Sequence, residues 1–398
     1  MTRTLLTNIG RLFTSSERGA VDDAAVVIEG DAIAWAGPRG DLPGNTQVDA
    51  EHDVDGALVT PGLVDAHTHP VYAGARFAEI AARTAGASYA ELAAAGGGIA
   101  STVRATRNAS QEDLALQAGE RFRSWLRSGT TTVEAKTGYK LDRDGEIATV
   151  ELLRGLDGPA PIPRVEITFL AAHAVGPEFE GRRSDYANEA AGWSKDAAAA
   201  GARFCDVFCD AGYFTVDESR IVLEAGREAG LIPRIHADEL EHTGGAKLAA
   251  AVGAASADHL LHVDDSDAKA LAEAGVVATL APITALSMGT MPDARMLLDR
   301  GVTIALGTDH NPGTSGSTDM TVVIALAVAA FDLSVEEALI AATRGGAVSL
   351  KRDDVGVIAP GAKADLVAWD ADHEGAFAWA FGVRPRDIWL AGTSVLTD

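Results

Sequence analysis

Two histidines one residue apart, His67 and His69, stand in the run Pro61-Gly62-Leu63-Val64-Asp65-Ala66-His67-Thr68-His69-Pro70. The stretch that delivers them, Ala57 to Val64, is apolar, and residues i and i+2 of a β-strand point to the same face. Two neutral imidazoles brought to one point suit a divalent transition metal, but two ligands do not make a site. Two later segments supply more. His236, in Ile235-His236-Ala237-Asp238-Glu239, and Asp309, in Leu306-Gly307-Thr308-Asp309-His310-Asn311-Pro312-Gly313, each follow an apolar, strand-like run. His67, His69, His236 and Asp309 together form a set of three nitrogens and one oxygen, which suits zinc and also accepts iron or manganese.

A catalytic metal keeps a position for water and lowers its pKa towards about 7. Asp309 can bind the metal through one oxygen and take the water's proton with the other. His259, in Ala257-Asp258-His259-Leu260-Leu261, is either a further ligand or a donor to a carbonyl oxygen as negative charge develops there. Glu239 falls too far along from His236 for the same strand face, but suits a loop turning back over the site, where it could shuttle a proton or bind a polar ring edge. Lys136 raises a competing arrangement, a carbamylated lysine bridging two metals. It ends the second strand candidate, whereas such a bridge sits two strands later, and Phe204 to Asp210 offers no lysine. One metal is therefore expected.

The substrate side is read from Arg76, a planar fork for a carboxylate, from Tyr139 and His173 as donors, and from Asn311 to Ser315, rich in backbone and hydroxyl groups. Taken singly, each is as well explained by a surface or core role. Gly96-Gly97-Gly98 reads as a loop near the entrance. It is not a phosphate cradle, because it lacks the lysine and the strand-to-helix setting of one.

These residues need elements to position them. From about Leu63 to Leu306 an apolar strand candidate alternates with a stretch of helical period. The strands are Leu63 to Ala66, Thr131 to Ala135, Arg164 to Leu170, Phe204 to Phe208, Ile232 to Ile235, Ala255 to His259, Val276 to Leu280 and Thr303 to Leu306. Helices are expected at Glu112 to Leu126, Asp217 to Ala229 and Asp265 to Ala274, the last with Gly275 at its C-cap. Eight such units predict an α/β fold, a closed parallel (β/α)8 barrel of the TIM type, and the chemistry-bearing residues all fall at or just beyond the C-terminal ends of its strands. Both flanks read as short strands, with Gly30-Asp31 as a hairpin turn. The expected organisation is a small β-sandwich domain built from residues 1–59 and 355–398, and a catalytic barrel over residues 60–354.

At 398 residues and 47% hydrophobic content the chain can bury a large core. A formal charge of -24 argues against nucleic acid as a partner, since phosphate binding needs concentrated Lys and Arg. An anionic substrate would need a local cation to oppose that field, which raises the interest of Arg76. No apolar run approaches the roughly 18 residues of a membrane span, so no membrane partner is expected and the location read is cytoplasmic. Cys205 and Cys209 read as buried free thiols.

Longer segments carry a resemblance: Gly96 to Arg107, Thr131 to Tyr139, Phe169 to Val175, Phe204 to Cys209 and His236 to Glu239. With the His-x-His run they resemble the amidohydrolase superfamily, and within it the imidazolonepropionases of histidine breakdown. The resemblance implies hydrolysis of the cyclic amide of 4-imidazolone-5-propanoate to N-formimidoyl-L-glutamate. It implies one zinc or iron ion on His67, His69, His236 and Asp309, with Arg76, Tyr139, His173 and Glu239 contacting the substrate. Asn311, Gly313 and Thr314 would hold the glutamate-like part of the product, and the chain would form a homodimer. Three positions depart from the common pattern: Thr137 in place of serine, Lys140 in place of glycine, and His310 in place of an apolar residue. On an extended segment His310 should point away from Asp309 and is not needed as a ligand. A related aminohydrolase, such as a deaminase or a formimino-glutamate deiminase, could use the same core and would release ammonia. A non-catalytic binding protein would have no reason to keep all four ligands.

Overall fold

The computed structural model describes residues 2–16, 18–86, 96–156 and 161–395. Eight strands form one parallel sheet in chain order. They are β1 (Leu63–Asp65), β2 (Thr130–Lys136), β3 (Arg164–Ala172), β4 (Phe204–Cys209), β5 (Ile232–Ala237), β6 (Ser256–His259), β7 (Val277–Leu280) and β8 (Ile304–Leu306). Every residue of β2 and β4 is buried, as expected of strands covered on both faces. The seam between β8 and β1 closes through Ala66 N–H to Leu306 O (3.2 Å), Asp309 N–H to His67 O (2.9 Å) and His69 N–H to His310 O (2.8 Å). The barrel is thus shut by the backbone of the residues singled out as metal ligands.

The helices form where the sequence places both their periodicity and their caps. Ser110 caps Gln111–Arg127. Thr215 with Glu218, and Asp264 with Asp267, form capping boxes on Val216–Glu228 and Asp265–Ala274, satisfying N–H groups the first turn leaves open. Gly275 ends the latter helix in the left-handed region (φ 65°), as expected. Each capped helix returns the chain to the start of the next barrel strand.

Both chain ends build a second, mixed sheet. Its strands run in the order Thr393–Ser394, Pro385–Leu390, Leu366–Trp369, Leu58–Pro61, Arg3–Phe13, Ala20–Glu29 and Ala32–Pro38, with Ala50–Asp53 also paired to Arg3–Phe13. The hairpin expected at Gly30-Asp31 is present, with Glu29 opposite Ala32. Leu58–Pro61 joins the two ends, parallel to Arg3–Phe13 on one side and antiparallel to Leu366–Trp369 on the other. Two residues later the chain enters β1, so the outer sheet delivers the His-x-His segment to the barrel. Cys205 and Cys209 are buried and free. No helix among the described residues is long and apolar enough to cross a membrane.

Asp65, at the end of β1, fastens the seam from within. It accepts from Trp125 Nε1 (2.8 Å), Thr308 N–H (2.9 Å) and Thr308 Oγ1 (2.6 Å). Asp65→Ala would strand these buried donors, each at a cost of about 1–3 kcal/mol. Urea unfolding should show a loss of at least about 2 kcal/mol; a smaller loss would mean the seam is held by backbone alone.

Candidate metal centre and active site

The donor atoms of His67, His69, His236 and Asp309 converge at the C-terminal mouth of the barrel. His69 Nε2 lies 3.3 Å from His67 Nε2 and 3.5 Å from His236 Nε2, and Asp309 Oδ1 lies 3.5 Å from His67 Nε2 and 3.4 Å from His69 Nε2. Donors about 2.0–2.2 Å from one ion stand roughly 3–4 Å apart, and these four separations fall in that range. At this mouth the groups whose ligand atoms lie together are His67-His69-Asp309, His67-His236-His259 and His69-His173-His236, so histidines and Asp309 here are able to hold an ion. The chemistry of the donors says the same. His67 Nδ1 faces Asp258 Oδ2 at 2.6 Å and His236 Nδ1 faces Asp206 Oδ2 at 3.1 Å, so both Nδ1 atoms carry hydrogen and both Nε2 atoms turn bare lone pairs inwards. Bare nitrogens and a carboxylate oxygen this close repel one another unless a cation lies between them.

Beneath the ligands is a buried ionic cluster. Lys136 Nζ donates to Glu134 Oε1 (2.8 Å) and Asp206 Oδ2 (2.7 Å) and lies 3.4 Å from Asp258 Oδ2. Arg234 Nη2 donates to Ala66 O (2.8 Å) and lies 3.5 Å from Asp258 Oδ2. Burial alone would lower the Lys136 ammonium, but Asp206, Glu134 and Asp258 more than reverse this and hold it charged above its ordinary value. The lysine is thus engaged in ion pairs with carboxylates of three strands and is absent from the lining of the pocket.

Glu239 and His259 flank the mouth. The loop after β5 is pinned by two carboxylates: Asp210 accepts from the N–H groups of Glu239 (2.7 Å), Leu240 (2.8 Å) and Glu241 (3.1 Å), and Asp238 from those of Thr243 (2.6 Å), Gly244 (2.9 Å) and Ala246 (2.8 Å). Glu239 is thereby folded back over the site, its Oε2 3.8 Å from His259 Nε2. Burial, with the negative charges of Asp309 and Asp210, pushes its carboxyl well above the ordinary value, which favours the protonated form. Burial lowers His259 to about 4 and His173 well below its ordinary range, so both are neutral. His259 (φ 75°) and Asp309 (φ 47°) both take left-handed backbone, uncommon outside glycine and a frequent mark of functional positions.

Comparison with known proteins bears on what this mouth serves. A model of the amidohydrolase family matches residues 58–393. The imidazolonepropionase of Rhodococcus jostii (strain RHA1) is 43% identical over 98% of this chain and 94% of its own, and that of Mycolicibacterium smegmatis is 44% identical over 96% and 95%. The chain belongs to the imidazolonepropionases of the amidohydrolase family. Solved structures of proteins with other names share the fold at low identity. An N-isopropylammelide isopropylaminohydrolase from Burkholderia multivorans superposes with a TM-score of 0.72 at 22% identity, covering 99% of this chain and 98% of its own. An A. niger ochratoxinase does so with 0.74 at 18%, covering 99% and 95%.

Set against what this family's motifs lead one to expect, the pocket brings together His69, Arg76, Tyr139, His173, His236, Glu239, His259, Asp309, Asn311 and Thr314. Arg76 is buried, and its Nε and Nη1 have no hydrogen-bond partner among the described residues; Glu79 Oε2 stands 3.7 Å from Nε. Gly313 backs it, and a Cβ there would collide with the guanidinium. His173 Nδ1 donates to Gly138 O (3.1 Å) and its ring stacks on His69. Asn311 is turned inwards: its Nδ2 donates to Asp309 O (2.6 Å) and Thr314 Oγ1 (2.8 Å), and its Oδ1 accepts from the N–H groups of Gly313 (2.7 Å) and Thr314 (2.9 Å). It shapes the loop that carries Asp309. His310 points away from Asp309, to Tyr72 Oη (3.1 Å) and Ser317 O (3.2 Å). Gly98 starts the helix Gly98–Asn108, and the next residue, Ile99, lines the pocket.

Sequence reasoning passed over Glu134, Asp206, Asp210, Arg234, Asp258 and Thr284. Thr284 Oγ1 donates to Asp309 Oδ2 (2.6 Å), steadying the carboxylate. The available signal was charge inside apolar strands: Glu134 precedes Lys136 by two residues, and Arg234 precedes His236 by two, the spacing of one strand face. Asp210→Ala should release the loop after β5. Amide exchange at residues 239–241 should then quicken by at least about tenfold while the barrel strands stay protected; unchanged exchange would show that Asp238 holds the loop alone.

Proposed function

We propose that the chain hydrolyses the cyclic amide of 4-imidazolone-5-propanoate to N-formimidoyl-L-glutamate. The observation that carries the reading is one pocket lined both by three of the proposed donors, His69, His236 and Asp309, and by a buried Arg76 fork with unsatisfied donors. A ring must lie under the metal set while its carboxylate tail reaches Arg76. The proposal includes one divalent ion, zinc or iron, held by His67, His69, His236 and Asp309. When bound, such an ion acidifies water and polarises a carbonyl oxygen.

In this reading Asp309 takes the proton of the attacking water through its carboxylate, with Thr284 fixing the oxygen that faces away from His67 and His69. The neutral His259 donates a hydrogen bond to the carbonyl oxygen as its charge grows. The bond from the ring carbonyl carbon to nitrogen breaks; the carbon leaves as a carboxylate and the nitrogen as the formimidoyl NH, which receives the proton from Asp309. Protonated Glu239 donates to a ring nitrogen and orients the ring. Arg76 pairs with the propanoate, Tyr139 and His173 bound the ring, and the Asn311-Gly313-Thr314 loop holds the glutamate-like part. We extend the proposal to organisation: residues 60–354 act as the catalytic unit and residues 1–59 and 355–398 as a composite β-domain, in a cytoplasmic homodimer.

Incubation with 4-imidazolone-5-propanoate should give loss of its absorbance and a product heavier by one water, with no ammonia. Ammonia release would point to a deaminase instead. Arg76→Met should lower kcat/KM about tenfold to a hundredfold, the value of a charged hydrogen bond of roughly 1.5–3 kcal/mol, and the loss should nearly vanish for the neutral amide of the side chain. Equal losses on acid and amide would remove Arg76 from carboxylate recognition.

Asp309→Asn hardly changes volume and should keep the fold. Turnover at saturating substrate should fall by at least about a hundredfold, the scale of a lost general base. Near-parent turnover at full metal occupancy would remove Asp309 from proton transfer.

A further inference from the structure

Lys136 is wholly buried, lines no part of the pocket, and has no step in the reaction. Its ammonium nevertheless touches both carboxylates that face ligand imidazoles, Asp206 (2.7 Å) and Asp258 (3.4 Å). We infer that Lys136 is a positioning residue of the metal centre, locking the Asp206 carboxylate so that His236 is set for ligation before an ion arrives. The inference rests on the metal assignment proposed above.

The argument turns on how each carboxylate is held. The acceptor on the second nitrogen of a ligand imidazole fixes its tautomer and ring plane, provided the acceptor itself cannot turn. Asp206 is gripped at both oxygens. Its Oδ1 accepts from Val207 N–H (2.7 Å), its Oδ2 from Lys136 Nζ (2.7 Å), and His236 Nδ1 bridges them at 3.2 and 3.1 Å. Among the described residues Lys136 is the one Lys or Arg in contact with Asp206. Asp258 is held differently: Ser256 Oγ donates to Oδ1 (2.5 Å), and Arg234 shares Oδ2 at 3.5 Å. Loss of Lys136 therefore frees Asp206 and, through it, His236, while Asp258 keeps His67 oriented.

The test is metal affinity of the full-length protein, read by competition for Zn2+ against a chromophoric chelator. Lys136→Met should bind zinc about 10- to 100-fold more weakly, the usual effect of losing an outer partner of a ligand. KM for the substrate at excess zinc should stay near the parent value. Combined with Asp206→Asn, the loss should be no greater than that of the larger single variant, because both act through one carboxylate. Asp365→Asn, which breaks the ion pair to Arg164, controls for stability and should leave zinc affinity unchanged. Lys136→Gln, which can still donate to one carboxylate, serves if the Met variant does not fold. A folded variant with parent affinity, or losses that multiply with Asp206→Asn, overturns the inference. So does failure of both variants to fold in excess zinc, which would make the lysine a structural counter-ion only. A parent protein that binds no zinc or iron overturns the metal assignment itself.

Discussion

Three carboxylates and two cations are shut inside the barrel, Glu134, Asp206 and Asp258 against Lys136 and Arg234, and the rest of the molecule is arranged around that fact. Burying any one of them unpaired would cost several kcal/mol, so the pairing must form as the barrel forms. The members come from β2, β4, β5 and β6, and Arg234 reaches across to the Ala66 and Ser349 carbonyls. A cluster assembled from so many strands favours one register among them. The same register aligns the strand ends above, where the histidines emerge.

The seam between β8 and β1 adds a second constraint at the same place. Its backbone hydrogen bonds run through His67, His69 and Asp309, so three of the four proposed ligands also close the sheet. Barrel closure and ligand convergence are therefore one event. The left-handed backbone at Asp309 is tolerable there because Asn311 and Thr284 hold the carbonyl and carboxylate on either side of it.

Electrostatics divides the mouth from the floor. The floor pairs opposite charges. At the mouth, burial favours neutral forms, lowering His173 and His259 and raising Glu239. Arg76 is the pocket cation, set apart from the metal donors, which suits a substrate with an amide at one end and a carboxylate at the other. Proteins of other names keep the fold with under 25% identity, so the fold alone carries none of this selectivity.

Much of this was legible in the chain. Apolar runs of strand length, helical periods and caps set the eight units, and polar residues at strand ends marked the functional face, because a strand's period and a helix's cap are local properties. The His-x-His spacing and the histidine and aspartate after later strands marked the candidate donors for the same reason. The tertiary structure alone decided the rest. Glu134, Asp206, Arg234 and Asp258 look out of place in their own strands, and only the closed barrel supplies their partners, at sequence separations of up to 191 residues between His67 and Asp258. It also turned Asn311 towards its own loop and His310 towards Tyr72, since a side chain's direction depends on neighbours that local sequence does not contain. Donor identity is a matter of residue type and spacing; donor geometry is set by long-range pairing of buried charge.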